Sequence, residues 1–171
     1  HMAVERFSDA PHPVIADEVV KTCLLLPADS ELLAKLSPLI VLIEQNVSWD
    51  REDLPNEDME AWQMLTMSLA AYRKGDFGMA ESWARRCLRH PNLNPSRNAT
   101  VQAILAMALH QLGHPAAARG ELQQSLAEMD ELNAYFRSSL EVDTGWTEKG
   151  YWFDWFIARI LLKEAEGVLG R

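Results

Sequence analysis

Apolar residues recur three and four positions apart along most of the chain, with the spacing of α-helices. Short segments rich in Pro, Gly and Asn interrupt this pattern and predict the helix ends. No segment sustains the alternation of apolar and polar residues that a half-buried β-strand requires. The pattern therefore predicts an all-α protein with helical hairpins at about residues 14–46, 57–90 and 98–132 and a last amphipathic helix at about 151–169.

The two ends of the chain predict its organisation. His1 and Met2 are typical of an expression-tag remnant, and Pro11 and Pro13 stand in a segment with few apolar residues, so we expect a tag remnant and linker at residues 1–13. We expect a single domain at residues 14–171 and infer that the chain is a piece of a longer protein.

Local composition predicts several helix boundaries. Ser30 follows Pro27 and is a plausible N-cap for the second helix, and the third hairpin is expected to begin at about Asn98. Residues 133–149 mix Asn, Ser, Asp, Thr and Gly, which predicts a loop before the last helix.

One segment of the chain repeats. KGDFGMAESWARRCL at residues 74–88 returns as LGHPAAARGELQQSL at residues 112–126, 38 positions later. Gly75 and Gly113 occupy the same place and permit the positive φ that reverses a chain within a few residues. Small residues also match and would let the two helices of each hairpin approach closely. They are Ser68 with Ala106 in the first helix and Ala80 with Ala118 in the second.

These matched small residues, the KGDF and LGHP turns and the closing Leu88 and Leu126 resemble the tetratricopeptide repeat (TPR) family. The resemblance implies antiparallel helix-turn-helix repeats stacked as an α–α superhelix, here about three hairpins with a C-terminal capping helix. The chain departs from the family in its 38-residue spacing, and in Met64 and Gln102, which stand where the family often has Trp.

The two ends of the predicted domain carry a narrower resemblance. VVKTCLLLP at residues 19–27 and WFDWFIARILLKEAEGVL at residues 152–169 resemble the C-terminal helical tails of bacterial eukaryotic-like serine/threonine protein kinases. The resemblance implies an excised regulatory part of a larger signalling protein. The sequence given has no Gly-rich phosphate loop and no HRD or DFG element, so phosphoryl transfer is not assigned to it.

Charge and composition limit the expected partners. The formal net charge of -9 argues against nucleic acid, because binding a phosphate backbone requires clustered Lys and Arg. No apolar stretch approaches the roughly 20 residues of a membrane span. Cys23 and Cys87 lack the paired spacing of a zinc or disulfide site, and we expect both to be core residues in a reduced, cytoplasmic protein.

The sequence predicts no catalytic, metal or cofactor site. His110 and His114 have the spacing of a zinc-binding pair, but Gln-Leu-Gly separates them and His114 falls in the predicted turn. No nucleophile, base or metal constellation stands out, so we expect a non-catalytic protein rather than an enzyme.

The candidate binding surface is a concave groove for a protein or peptide. In stacked hairpins the first helices line such a groove, although the same residues could instead pack against the neighbouring repeat. If Tyr72 and Arg73 belong to the groove, replacing both with Ala should weaken partner capture and leave the melting point nearly unchanged. The predicted groove residues are Trp62, Leu65, Leu69, Tyr72, Arg73, Met107, His110 and Gln111.

A dense aromatic group near the C terminus is a possible second patch, with Trp152 and Phe153 its leading residues. It would either cap the final repeat or contact a partner. This aromatic group also supports the alternative hypothesis that the chain is a structural or self-association tail of a multidomain enzyme such as a protein kinase. The remaining members are Trp146, Tyr151, Trp155 and Phe156.

Overall fold

All regular structure in the part of the chain that the structure describes is α-helical. The structure, a computed structural model, describes residues 12–47, 58–91, 94–138 and 152–170. This confirms the all-α prediction for these residues. The helices are α1 (Pro13–Cys23), α2 (Ser30–Asn46), α3 (Asp58–Arg73), α4 (Phe77–Leu88), α5 (Pro95–Gln111), α6 (Pro115–Ser138) and α7 (Trp152–Val168).

The chain divides into two compact units, His1–Pro91 and Asn92–Arg171. In the first unit, α1 packs against both α2 and α3, α2 also contacts α3, and α3 forms a hairpin with α4. These contacts bury an apolar core in which Trp83 is the largest side chain. Other fully buried residues of this core are Val20, Leu24, Leu36, Ile43, Met64, Leu65 and Leu69.

The second unit is built around α5, which packs against both α6 and α7. Residues 99–109 of α5 are all buried. A helix buried on every side needs apolar or small residues around its whole circumference, and Ala residues with Val101, Ile104 and Leu105 supply them. The position of α5 between α6 and α7 therefore follows from its composition.

Several helix ends differ from the sequence predictions for identifiable reasons. The N-cap of α2 is Asp29 rather than Ser30, because the Asp29 carboxylate accepts the Leu32 N–H at 2.8 Å. The helix α5 begins at Pro95, three residues before the predicted start, with the Asn94 side chain accepting the Arg97 N–H at 3.0 Å. The helix α6 continues through the first part of the predicted loop to Ser138, and no Gly or Pro interrupts it after Gly120.

The hairpins α3–α4 and α5–α6 reverse direction through the same hydrogen bonds. The Asp76 N–H donates to the Ala71 carbonyl at 3.0 Å, and the His114 N–H donates to the Leu109 carbonyl at 2.9 Å. The preceding Gly has a φ of 80° at Gly75 and of 79° in the second copy. Both turns are Schellman motifs, so the repeat in the sequence is also a repeat in backbone structure.

A side-chain hydrogen bond also recurs at the 38-residue offset. The Cys87 thiol donates to the carbonyl of Ala61 at 3.1 Å, and the Ser125 hydroxyl donates to the carbonyl of Ala99 at 2.8 Å. Each bond ties the second helix of a hairpin to the first helix of the same hairpin. Equivalent positions therefore have equivalent partners although the donor changes from a thiol to a hydroxyl.

The positive φ of the turn glycines predicts equal effects in the two hairpins. Gly75→Ala and Gly113→Ala should each lower the free energy of unfolding by about 1–2 kcal/mol, since an L-residue is strained in this conformation. Gly120→Ala is the matched control, because it lies within α6 where an added methyl meets open space, and it should raise stability by about 0.5–1 kcal/mol. Urea denaturation measures all three variants, and a neutral Gly75→Ala would contradict the strain argument.

Candidate interaction surfaces

A charged cluster lies where α1 meets α3. The Lys21 ammonium is 3.2 Å from an Asp17 carboxylate oxygen and 2.7 Å from a Glu18 oxygen, because residues three and four apart share a helix face. The same ammonium stands 5.1 Å from the ring centroid of Trp62, within the range of a cation–π contact. The predicted groove residue Trp62 therefore already has a cation from its own chain against its ring.

Burial controls the protonation of this cluster. Only 1% of the Asp17 side chain and 2% of the Lys21 side chain are exposed. Burial raises the pKa of Asp17 above its ordinary value, and the positive charge of Lys21 opposes this effect. Burial alone would lower the pKa of Lys21, but the negative charges of Asp17 and Glu18 outweigh it and raise that pKa. Lys21 therefore remains charged at neutral pH.

Arg73 joins the C-terminal end of α3 to the turn that leaves α1. Its Nε donates to the Leu24 carbonyl at 2.9 Å and an Nη donates to the Leu25 carbonyl at 3.2 Å. The guanidinium lies 5.6 Å from the ring centroid of Tyr72, and that ring lies 5.6 Å from the ring of Phe77. Arg73, which the sequence assigned to a partner groove, is thus engaged by the backbone of its own unit.

The predicted groove residues differ in exposure. Leu65, Leu69 and Met107 are fully buried, so their assignment to an open surface is corrected. The predicted groove residues that have exposed surface are Trp62, Tyr72 and Arg73, each partly exposed on α3, and His110 and Gln111, both exposed on α5.

The two exposed α5 residues have counterparts in the first unit. His110 and Gln111 stand 38 positions after Tyr72 and Arg73, in the last turn before the Schellman motif. In the first unit these positions make aromatic and backbone contacts. In the second unit both side chains are open to solvent. The same repeat position is therefore used for packing in one unit and is accessible in the other.

The helix α7 combines a buried side with an exposed aromatic side. Ala158, Leu161 and Ala165 are fully buried in the unit that α7 forms with α5 and α6. Phe153, Phe156 and Ile160 are exposed large hydrophobic residues, and we call them the α7 outer face. The inner side of α7 is therefore buried, and its outer face is exposed. Trp152 begins α7, but its side chain, Tyr151 and Trp146 lie outside the described residues.

Sequence reasoning missed the charged groups of these surfaces. It did not single out Asp17 with Lys21, or Arg159 and Lys163 beside the α7 outer face. The four-residue spacing of each pair was the available signal, because such residues neighbour each other on a helix. The spacing shows adjacency, but it does not distinguish the buried pair from the exposed one.

The described residues contain no group of three or more His, Cys, Asp and Glu side chains placed to hold a metal ion. No helix in the described ranges is both long enough and apolar enough to cross a membrane. His110 and His114, the pair weighed as metal ligands, are both exposed.

No protein-family model, curated protein or solved structure matches this chain. The resemblances to TPR proteins and to kinase tails rest on the sequence motifs alone and remain predictions.

Proposed function

We propose that this chain is a non-catalytic interaction domain that binds a protein or peptide. Its helical hairpins would stack as a TPR-like superhelix, capped by α7, in an excised regulatory part of a larger bacterial, cytoplasmic signalling protein. The observation that carries the proposal is the recurrence of both the turn and the interhelical hydrogen bond at the 38-residue offset. Repeated hairpins of this kind build extended surfaces that are commonly used for binding.

The accessible residues of the predicted groove suit peptide recognition. The amide of Gln111 both donates and accepts hydrogen bonds, and the imidazole of His110 offers two ring nitrogens for hydrogen bonding. Both side chains are exposed at the end of a helix whose preceding turns are buried, so a fixed backbone presents them. In the first unit, the exposed parts of the Trp62 and Tyr72 rings would provide separate apolar contacts.

A capture experiment with matched variants tests this function. The immobilised chain is incubated with source-cell extract, and a protein retained by the wild type is quantified for each variant. The double variant His110→Ala/Gln111→Ala should retain it about tenfold less well, because two polar contacts with the partner are removed. Arg119→Ala, another exposed substitution in the same unit, should retain it like the wild type.

All three proteins should have the same melting temperature, since the substituted side chains are exposed. Equal retention by the double variant and the wild type would reject the assignment of the surface to these residues. The absence of any retained protein, together with a dimer in sedimentation, would instead favour the alternative function.

That alternative is a self-association tail, and the α7 outer face is the observation that favours it. Two copies could bury Phe153, Phe156 and Ile160 against one another. Sedimentation equilibrium would then show a dimer whose population rises with concentration and falls in Phe153→Ala.

A further inference from the structure

The α7 outer face forms one continuous stripe. Phe153, Phe156 and Ile160 are three and four positions apart, which places them along a single side of the helix. The Phe156 side chain is 58% exposed, the largest value among the three. Three large apolar side chains together on an exposed helix face are typical of a contact surface rather than of scattered surface residues.

Two cations border this stripe. Arg159 follows Phe156 by three positions, and Lys163 follows Ile160 by three, so each lies beside an exposed apolar residue. Both are exposed, and neither forms an ion pair with any residue in the described ranges. By contrast, Lys21, Lys35 and Arg85 each pair with a carboxylate of their own helix. One side of the stripe thus has a positively charged border in a chain of net charge -9, whereas Glu164, four positions after Ile160, lies on the other side.

We propose that the α7 outer face docks an acidic amphipathic helix of another protein. Its apolar side would cover Phe153, Phe156 and Ile160, and its flanking Asp or Glu side chains would pair with Arg159 and Lys163. Such helices recognise a surface through anchors at i, i+3 or i+4 and i+7, which is the spacing of this stripe. The charges would set orientation and exclude basic helices. This inference rests on the proposed protein-binding function and adds the class of partner.

A second copy of the chain fits the same surface less well. In a two-fold interface that packs the two stripes antiparallel, Arg159 and Lys163 would lie on the same side as the same two cations of the other copy. An acidic helix neutralises the two cations when its carboxylates lie on their side of the stripe, and its opposite side, which faces Glu164, is then uncharged.

Two labelled peptides of about 18 residues test the proposal, a length at which a helix can form. They share one leucine stripe and differ only in the flanking residues, which are Glu in the first peptide and Lys in the second. Fluorescence anisotropy with the full chain should give binding of the Glu peptide at least about tenfold tighter than that of the Lys peptide. The difference should shrink as salt is raised, because salt screens exposed charges.

Charge reversal on α7 identifies the surface. Arg159→Glu/Lys163→Glu should weaken the Glu peptide about tenfold or more and strengthen the Lys peptide. The control Arg89→Glu/Arg119→Glu makes the same change in net charge at two other exposed arginines and should leave the preference nearly unchanged. Phe156→Ser should weaken both peptides while retaining the wild-type circular dichroism spectrum and melting temperature, since this side chain is largely exposed.

The proposal is overturned if the two peptides bind equally, if neither binds, or if the control charge reversal acts as strongly as the reversal on α7. It is also overturned if sedimentation velocity shows a dimer that Phe156→Ser abolishes, because the occupant is then a second copy. If His110→Ala/Gln111→Ala loses capture of the retained protein but the chain binds the two peptides without preference, the binding function stands. Only the assignment of the α7 outer face is then rejected. Failure of both experiments would reject both.

Discussion

Lys21→Met should lower the free energy of unfolding by about 3–5 kcal/mol at neutral pH, because it leaves the carboxyl group of Asp17 buried without its cation. Methionine approximates the volume of the lysine stem, so the substitution removes the charge and preserves most of the packing. The pair is inaccessible to water, which cannot then replace the missing ammonium. Urea denaturation followed by circular dichroism at pH 7 measures the change.

The chain contains a matched control in α2. Lys35 is four positions after Glu31, and their side chains are 2.8 Å apart, but the lysine is 36% exposed and the carboxylate 69%. Lys35→Met should therefore change stability by less than about 1 kcal/mol. Both variants remove a lysine–carboxylate pair of the same spacing, so their difference reports burial together with the Glu18 and Trp62 contacts of Lys21. Equal losses would show that burial of the Asp17–Lys21 pair does not determine its contribution.

The effect of Lys21→Met should depend on pH in a defined direction. Burial raises the pKa of Asp17 in the folded state above the value of about 3.9 expected in the unfolded chain, so the folded state binds that proton more tightly. As pH falls through the folded-state pKa, the carboxyl becomes neutral and the penalty of burying its charge disappears. The destabilisation by Lys21→Met should consequently be smaller at pH 5 than at pH 7.

In the wild type the pKa of Lys21 is raised, so its stabilisation is present below about pH 10.4 and is lost as pH rises through the folded-state pKa.

A double variant that also removes the Asp17 carboxylate separates the effect of charge from the effect of packing. Asp17→Leu/Lys21→Met should recover most of the stability lost in Lys21→Met, because a buried ion pair can often be replaced by apolar residues. No recovery would mean that altered packing caused the loss.

The helical hairpins were predictable because their signals are local. Gly75 and Gly113 follow the last helical turns and adopt the positive φ that their lack of a side chain permits. The start of α5 was equally local, since Asn94 and Pro95 are an N-cap and a first-turn proline. The predicted start at about Asn98 overlooked these two residues and lies three positions too far along the chain.

The accessibility of the candidate surface was less predictable because it depends on contacts between distant segments. Leu65 and Leu69 have the spacing of groove residues, but the packing of the first unit buries them completely. Asp17 and Lys21 are visible in sequence as neighbours on a helix, whereas their burial arises where α1 meets α3. Periodicity identifies the residues that share a face, and tertiary packing determines which face water reaches.

Arg73→Ala should lower the free energy of unfolding by about 2–4 kcal/mol, because it removes two charge-assisted hydrogen bonds. The acceptors are the carbonyls of Leu24 and Leu25, 49 and 48 positions away in sequence, so the substitution disconnects α3 from the turn after α1. The groove assignment instead led to the expectation that Tyr72→Ala/Arg73→Ala would leave the melting point nearly unchanged. Urea denaturation of the single variants separates the contributions of the two residues.

The exposed pair of Arg85 with Glu81 provides the control for Arg73→Ala. Its Nε–carboxylate distance of 2.8 Å is similar to the Arg73 contacts, but both ends of the pair are accessible to solvent, so Arg85→Ala should change stability by less than about 1 kcal/mol. Arg73→Lys should recover less than half of the Arg73→Ala loss, since a single ammonium lacks the planar fork that reaches two carbonyls. Full recovery by lysine would indicate that charge alone stabilises this contact. A melting temperature unchanged in Arg73→Ala would restore Arg73 to the set of residues available to a partner.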